Sequence, residues 1–222
     1  MTENGDIAKT IGAAIAPALK AAGFRKRGNS FNRPVADGMV HRVAVELGAF
    51  DPSGIHHVPG LNPDRYGEFE IRLGIYVPAM TRLIPPPSGW VTAGHTRAKW
   101  SLSELAPGLD EWADIRDRVA VEAVIEAIAT VGLAHLDSLS DYASLIEAYE
   151  NQGPIAFGRY ENESVALDVA DLHLARGDAS SARRVLESYL DYLTTRDHPE
   201  HKEHVRDVLR DKGFTDLAER EF

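Results

Sequence analysis

An α+β fold follows from three features of the sequence: helical spacing at the start, strict alternation in the middle, and a return to helical spacing at the end. Apolar residues recur every four positions from Ile7 to Leu19, alternate singly from Glu68 to Val77, and regain helical spacing after Trp112. The expected architecture is an antiparallel sheet of about four or five strands with helices on one face, followed by a small C-terminal helical hairpin region. With 222 residues, 44% of them hydrophobic and 26% charged, the chain is long enough to bury a sizeable core, which excludes disorder, collagen or coiled coil as the whole answer. The pattern divides into an α+β domain over 1–151 and a helical appendage over 163–222 docked on it.

Ile7, Ile11, Ile15 and Leu19 define an amphipathic helix that ends at Ala22, before Gly23 in a helix-terminating position. Pro17 removes one backbone hydrogen bond and predicts a kink or break. Phe24 to Arg27 and Ser30 to Arg33, interrupted by Gly28-Asn29, read as short strands, and Asp37-Gly38 marks a hairpin turn into a strand over Met39 to Gly48. The run from Phe50 to Tyr66, rich in proline and glycine, is a long loop. In the next strand Phe69, Ile71, Leu73, Ile75 and Val77 share one face, while Glu68, Glu70, Arg72, Gly74 and Tyr76 share the other.

Pro85-Pro86-Pro87 closes that region, and His95 to Leu102 supplies a further strand before a turn over Leu105 to Asp110. Helix begins at Trp112 with Val121, Val124, Ile125 and Ile128 on one face, and a second helix covers Leu139 to Glu150. Helices over Ser164 to Arg176 and Ala179 to Leu193 meet at Gly177-Asp178. Their small residues Ala166, Ala170 and Ala182 resemble the close crossing of a tetratricopeptide-type hairpin. A last helix runs from Pro199 to Lys212, with Gly213 beyond its end.

Charge is unevenly spread. Up to Asp110 there are 12 basic and 10 acidic residues; from Glu111 onward there are 12 basic and 24 acidic. An acidic C-terminal half repels phosphate backbones and favours a basic protein partner over nucleic acid. No window approaches 18 consecutive apolar residues, and the polar N-terminus has no basic segment leading into a hydrophobic stretch, so the expectation is a cytoplasmic protein with no membrane partner.

Zero cysteines exclude disulfides, thiol nucleophiles and cysteine zinc sites. His198, His201 and His204 have the i, i+3 spacing that places imidazoles on one helical face, but HExxH is absent and a solvated first turn explains the composition, so neither metal nor other cofactor is expected. No Gly-x-Ser-x-Gly elbow, Gly-x-x-x-x-Gly-Lys loop or Gly-x-Gly-x-x-Gly loop occurs, which leaves catalysis unsupported. Two surfaces remain. Arg25, Lys26, Arg27 and Arg33, interleaved with Phe24 and Phe31, make an anion-binding strand surface, or else an edge strand protected by charge with both aromatics in the core. Arg42, Glu46, Glu70, Arg72 and Tyr76 gather on the polar sheet face if register allows, beside His56-His57 of the long loop; the alternative is a solvated face with cross-strand ion pairs.

Gly23-Phe24-Arg25-Lys26-Arg27-Gly28-Asn29-Ser30-Phe31 resembles the opening signature of an uncharacterised bacterial family catalogued as domain of unknown function 4304. Leu73-Gly74-Ile75-Tyr76 resembles its later strand, and Asp110-Glu111-Trp112 matches part of its acidic, tryptophan-containing segment. The resemblance covers roughly the first two thirds of the chain; Glu46-Leu47-Gly48 replaces an expected Gln-containing segment, and a tryptophan pair is reduced to Trp112. It implies a helix, an antiparallel sheet and closing helices, and no activity. The leading functional expectation is a non-catalytic interaction protein, in one concrete form an immunity-type protein that binds and neutralises a toxin. The alternative is a small-ligand binder or enzyme using the polar sheet face and the 50–66 loop.

Overall fold

The computed structural model describes residues 3–48, 65, 67–80, 85–86, 88–159 and 164–222, so His56 and His57 lie outside the described residues. The chain divides into two units, Met1–Pro78 with Arg82–Ser144 and Ala79–Thr81 with Leu145–Phe222. In the first, the four-residue repeat forms α1 (Glu3–Ala21), which runs through Pro17 without the break that was one of the two expected outcomes. Pro17 forgoes one hydrogen bond, and burial of Ile11, Ile15 and Leu19 supplies the stabilisation that holds the helix together. Gly23 adopts a φ of 87°, where a Cβ would be strained, and the Phe24 N–H turns back to the Leu19 carbonyl at 2.9 Å.

Strands β1 (Arg25–Arg27), β2 (Ser30–Pro34), β3 (Val40–Leu47), β4 (Glu68–Tyr76) and β5 (Ala98–Ser101) lie side by side in that order, and β6 (Ala113–Asp114) pairs with β4 beyond the end of β5. Among the described residues every pairing is antiparallel, and the sheet has six strands. Register aligns Phe31, Val43, Leu73 and Trp100 across four strands, and Val45 stands opposite Ile71. This face is buried, as the alternation predicts. Where helix was expected from Trp112, the chain instead makes β6 and a turn. Helix starts only at Arg118, after the Asp117 carboxylate caps the N–H groups of Val119 and Ala120.

Helices α3 (Arg118–Ala127) and α4 (Leu133–Asp137) flank a π-type turn, Ile128–Gly132; α2 (Leu102–Leu105) is a single turn. The run Arg118–Asp137 is long and apolar enough to cross a membrane by length and composition. Its Val124, Ala127, Ile128 and Leu136 are buried, and Gly132 lies so close to the sheet that a Cβ there would stand 3.3 Å from Leu73 and 3.2 Å from Leu102. The helices thus cover the Leu73 face.

The remaining helices are α5 (Tyr142–Gln152), α6 (Val165–Ala175), α7 (Ala179–Thr194), α8 (Pro199–Asp211) and the short α9 (Thr215–Ala218), which the spacing did not predict. Ala166, Ala170 and Ala182 are fully buried where α6 meets α7, and Leu186, Leu190 and Leu209 join the same core. Gly177, at φ 77°, reverses the chain, and Asp178 accepts from the Ser181 N–H to start α7. Lys212 and Asp171 form a buried ion pair in this unit.

Candidate functional site

The register places Arg42, Glu46, Glu70, Arg72 and Tyr76 on one sheet face, opposite the helices. Arg42 stands across from Gly74, Arg72 from Ala44, and Glu46 directly from Glu70. Two carboxylates opposed in this way repel, and the neighbouring guanidinium groups offset the repulsion. Arg72 Nε lies 2.8 Å from Glu70 Oε2 and Arg72 Nη2 lies 4.0 Å from Glu111 Oε1, while Arg42 Nη2 lies 4.0 Å from Glu46 Oε1.

This face is only partly solvated: Arg42 is 8% exposed, Glu70 4% and Tyr76 9%, whereas the Arg72 and Glu46 side chains are 35% and 40% exposed. The segment 88–97 contributes to the covering, because Asn32 Nδ2 donates to the Val91 carbonyl at 3.1 Å and Thr96 packs onto the bare backbone of Gly74. A Cβ at Gly74 would stand 2.9 Å from Thr96 Cγ2. Alternation correctly sorts side chains between faces, but it does not reveal a connecting segment that returns over the polar one.

Burial alters the chemistry of the charged groups. Desolvation raises the Glu70 pKa; Arg72 opposes the shift through its ion pair, and the negative charges of Glu46 and Glu111 reinforce it. Desolvation lowers that of Arg42, with Glu46 acting against it. Ser30 Oγ, Asn32 Oδ1, Arg42 Nε and Glu70 Oε2 are buried on this face without hydrogen-bond partners. The Arg72–Glu70 contact is therefore an ion pair whose N–H is not aligned for a hydrogen bond. Among the described residues, no group of three or more His, Asp or Glu side chains is placed to hold a metal ion.

The four basic residues of the second surface do not form one stripe. Arg25 and Arg27 fall on the polar face, with Arg27 over the Trp90 ring at 6.0 Å, whereas Lys26 alternates to the other face over Phe31. Arg33 is mostly buried and paired with Asp137, and its Nη2 lies 2.9 Å from His41 Nδ1. Phe24 and Phe31 are both in the core, as the edge-strand alternative held. In α8, His201 Nε2 lies 2.6 Å from the Tyr189 hydroxyl and the His201 and His204 rings are 6.4 Å apart.

Sequence reasoning missed Asn32, Ser101 and the Asp137–Arg33–His41 chain. The Ser101-x-x-Glu104 spacing was a usable signal: the Ser101 N–H donates to Glu104 Oε2 at 2.7 Å in a capping box that ends β5. The carboxylate partner of Arg33, Asp137, lies 104 residues away and leaves no local signal. No family model matches the chain, and no curated protein or solved structure matches it either.

Proposed function

We propose that the chain is a non-catalytic, cytoplasmic interaction protein whose acidic second unit recognises a basic protein, in the manner of an immunity protein that neutralises a toxin. One observation carries this reading: Leu145–Phe222 holds 17 acidic against 10 basic residues, in a unit whose helices have a core of their own. Such a surface steers a basic partner and makes association salt-sensitive. The resemblance of the first unit to the domain of unknown function 4304 family belongs to the same reading and adds a fold without an activity.

The test is capture with the tagged full chain from lysate of its source cells at low and high salt. It is run beside a variant in which Glu200, Glu203, Asp207 and Asp211, all exposed on α8, are changed to their amides. The expected result is one stoichiometric basic protein, lost at high salt and depleted by the variant. Recovery of no protein, or of one indifferent to both changes, refutes it. A second reading, small-ligand binding at the polar sheet face, has in its favour the buried polar atoms there that lack hydrogen bonds.

A further inference from the structure

Between Ile7 and Ala36 the sequence holds six basic residues and no acidic one, although the whole chain carries a net charge of -10. Arg33 is paired with Asp137, but Lys20, Arg25, Lys26 and Arg27 are exposed and have no carboxylate partner among the described residues. Three of these four make up β1, the strand at one end of the sheet order. Two of them are held in place by aromatic rings. Arg27 lies over Trp90, and Lys26 Nζ lies 5.5 Å from the centre of the Phe31 ring, beside Gly12, where a Cβ would stand 2.9 Å from it. A ring attracts a cation without neutralising it.

The register fixes which backbone groups this edge presents. The Val45 N–H donates to the Asn29 carbonyl at 2.9 Å, so Asn29 and, by alternation, Phe31 direct their backbone groups at β3, while Ser30 and Asn32 direct theirs at β1. Ser30 pairs with Arg27 and Asn32 with Arg25, which leaves Lys26, opposite Phe31, with its N–H and C=O pointing away from the sheet. No backbone group among the described residues takes them up. An open edge of this kind accepts an added strand. A second copy of β1 is a poor occupant, because an antiparallel pair centred on Lys26 sets Lys26 against Lys26 and Arg25 against Arg27. A phosphate backbone would meet Arg25 and Arg27 on one face and leave Lys26 on the other. An extended acidic segment presents carboxylates to both faces in turn.

We propose that β1 is a docking edge for an extended acidic segment of another protein. The segment adds as an antiparallel strand, exchanges two backbone hydrogen bonds with Lys26, and sets acidic side chains beside Arg25, Lys26 and Arg27. The edge lies within the first unit and stands whether or not the acidic second unit binds a basic protein. The same charge that keeps two copies of this edge apart admits the acidic strand.

Titration of the 15N-labelled full chain tests the edge, with acetylated and amidated pentapeptides as probes: Val-Glu-Glu-Glu-Val, the same peptide N-methylated at its central Glu, and the neutral Val-Gln-Gln-Gln-Val. The first is expected to give saturable amide shifts centred on Lys26. N-methylation removes the N–H that donates to the Lys26 carbonyl and leaves the charge intact, and it is expected to weaken binding at least fivefold. The neutral peptide, and the double variant Arg25→Gln/Arg27→Gln at two exposed positions, are expected to show a loss at least as large. The peptide comparisons use the natural chain, so they decide the matter even if the variant does not fold. Absent or unsaturable shifts, equal binding of the neutral peptide, or indifference to N-methylation overturn the proposal. Tighter binding of oligothymidylate, run as a separate probe, overturns it in favour of a nucleic acid.

Discussion

Acidification is expected to destabilise the first unit through His41. Its imidazole is fully buried, with Nε2 2.9 Å from the Leu139 carbonyl and Nδ1 2.9 Å from Arg33 Nη2. The carbonyl needs Nε2 as a donor and the guanidinium needs Nδ1 as an acceptor, so this arrangement fits the neutral ring alone. Burial, the largest influence, takes the pKa from 6.5 down to about 4; the Leu139 carbonyl opposes it, Arg33 adds to it, and of the remaining nearby groups Asp137 raises the pKa while His135 lowers it. Between those values the unfolded chain binds a proton that the folded chain refuses. Stability is therefore fully present above pH 6.5, falls as pH drops toward 4, and levels off below. The loss is about 3 kcal/mol, at roughly 1.4 kcal/mol per unit of pKa difference.

Urea unfolding followed by tryptophan fluorescence measures it. Trp90, Trp100 and Trp112 all lie in the same unit as His41. Other groups titrate in this range, so the quantity of interest is the difference between the natural chain and His41→Gln, whose amide offers a donor and an acceptor and has no proton to gain. The difference should shrink by about 3 kcal/mol from pH 7 to pH 4. Parallel curves over that range would refute the reasoning.

Other perturbations have expected sizes. Gly74→Ala drives a Cβ to 2.9 Å from Thr96 and should cost about 1–3 kcal/mol in the same unfolding assay, with relief from the added Thr96→Ser change, which removes the crowded methyl. Lys212→Met leaves Asp171 buried without its ion-pair partner and should cost roughly 3–5 kcal/mol by circular dichroism, much of it recovered by adding Asp171→Leu. Asp178→Ala removes the cap of α7 and should cost about 1 kcal/mol; hydrogen bonds from Ser181 and Ser180 hold the Asp178 pKa well below the usual carboxylate range, so the penalty should disappear only in strong acid.

The legible parts of this fold were those with a local period. Single alternation over Glu68–Tyr76 placed Leu73 toward the helices and Glu70 away from them, and Asp37-Gly38 marked the β2–β3 turn. Strand β6 spans two residues, too few for any alternation, so the local pattern extends the following helix back to Trp112 although Asp117 is available as its cap. The candidate site was legible as a set of side chains on one face, and its burial was not. Coverage by the 88–97 segment depends on Asn32 reaching Val91, a contact across 59 residues that no window of sequence contains. The same holds for Arg33, which looked like surface charge among its neighbours and is instead committed to Asp137.

The clamp on the β2–β3 turn has a consequence for how the protein is made. Asp37 holds the turn with a positive φ of 55°; its carboxylate accepts from the Tyr142 N–H, and the Tyr142 hydroxyl donates to the Asp37 carbonyl. His41 likewise waits for Leu139. With partners 98 and 105 residues downstream, this early hairpin leaves the ribosome incomplete, and at about 5–20 residues per second its partners follow roughly 5–20 s later. Nascent chains truncated before Leu139 should be cut by protease within the β2–β3 hairpin, and chains extended past Tyr142 should resist.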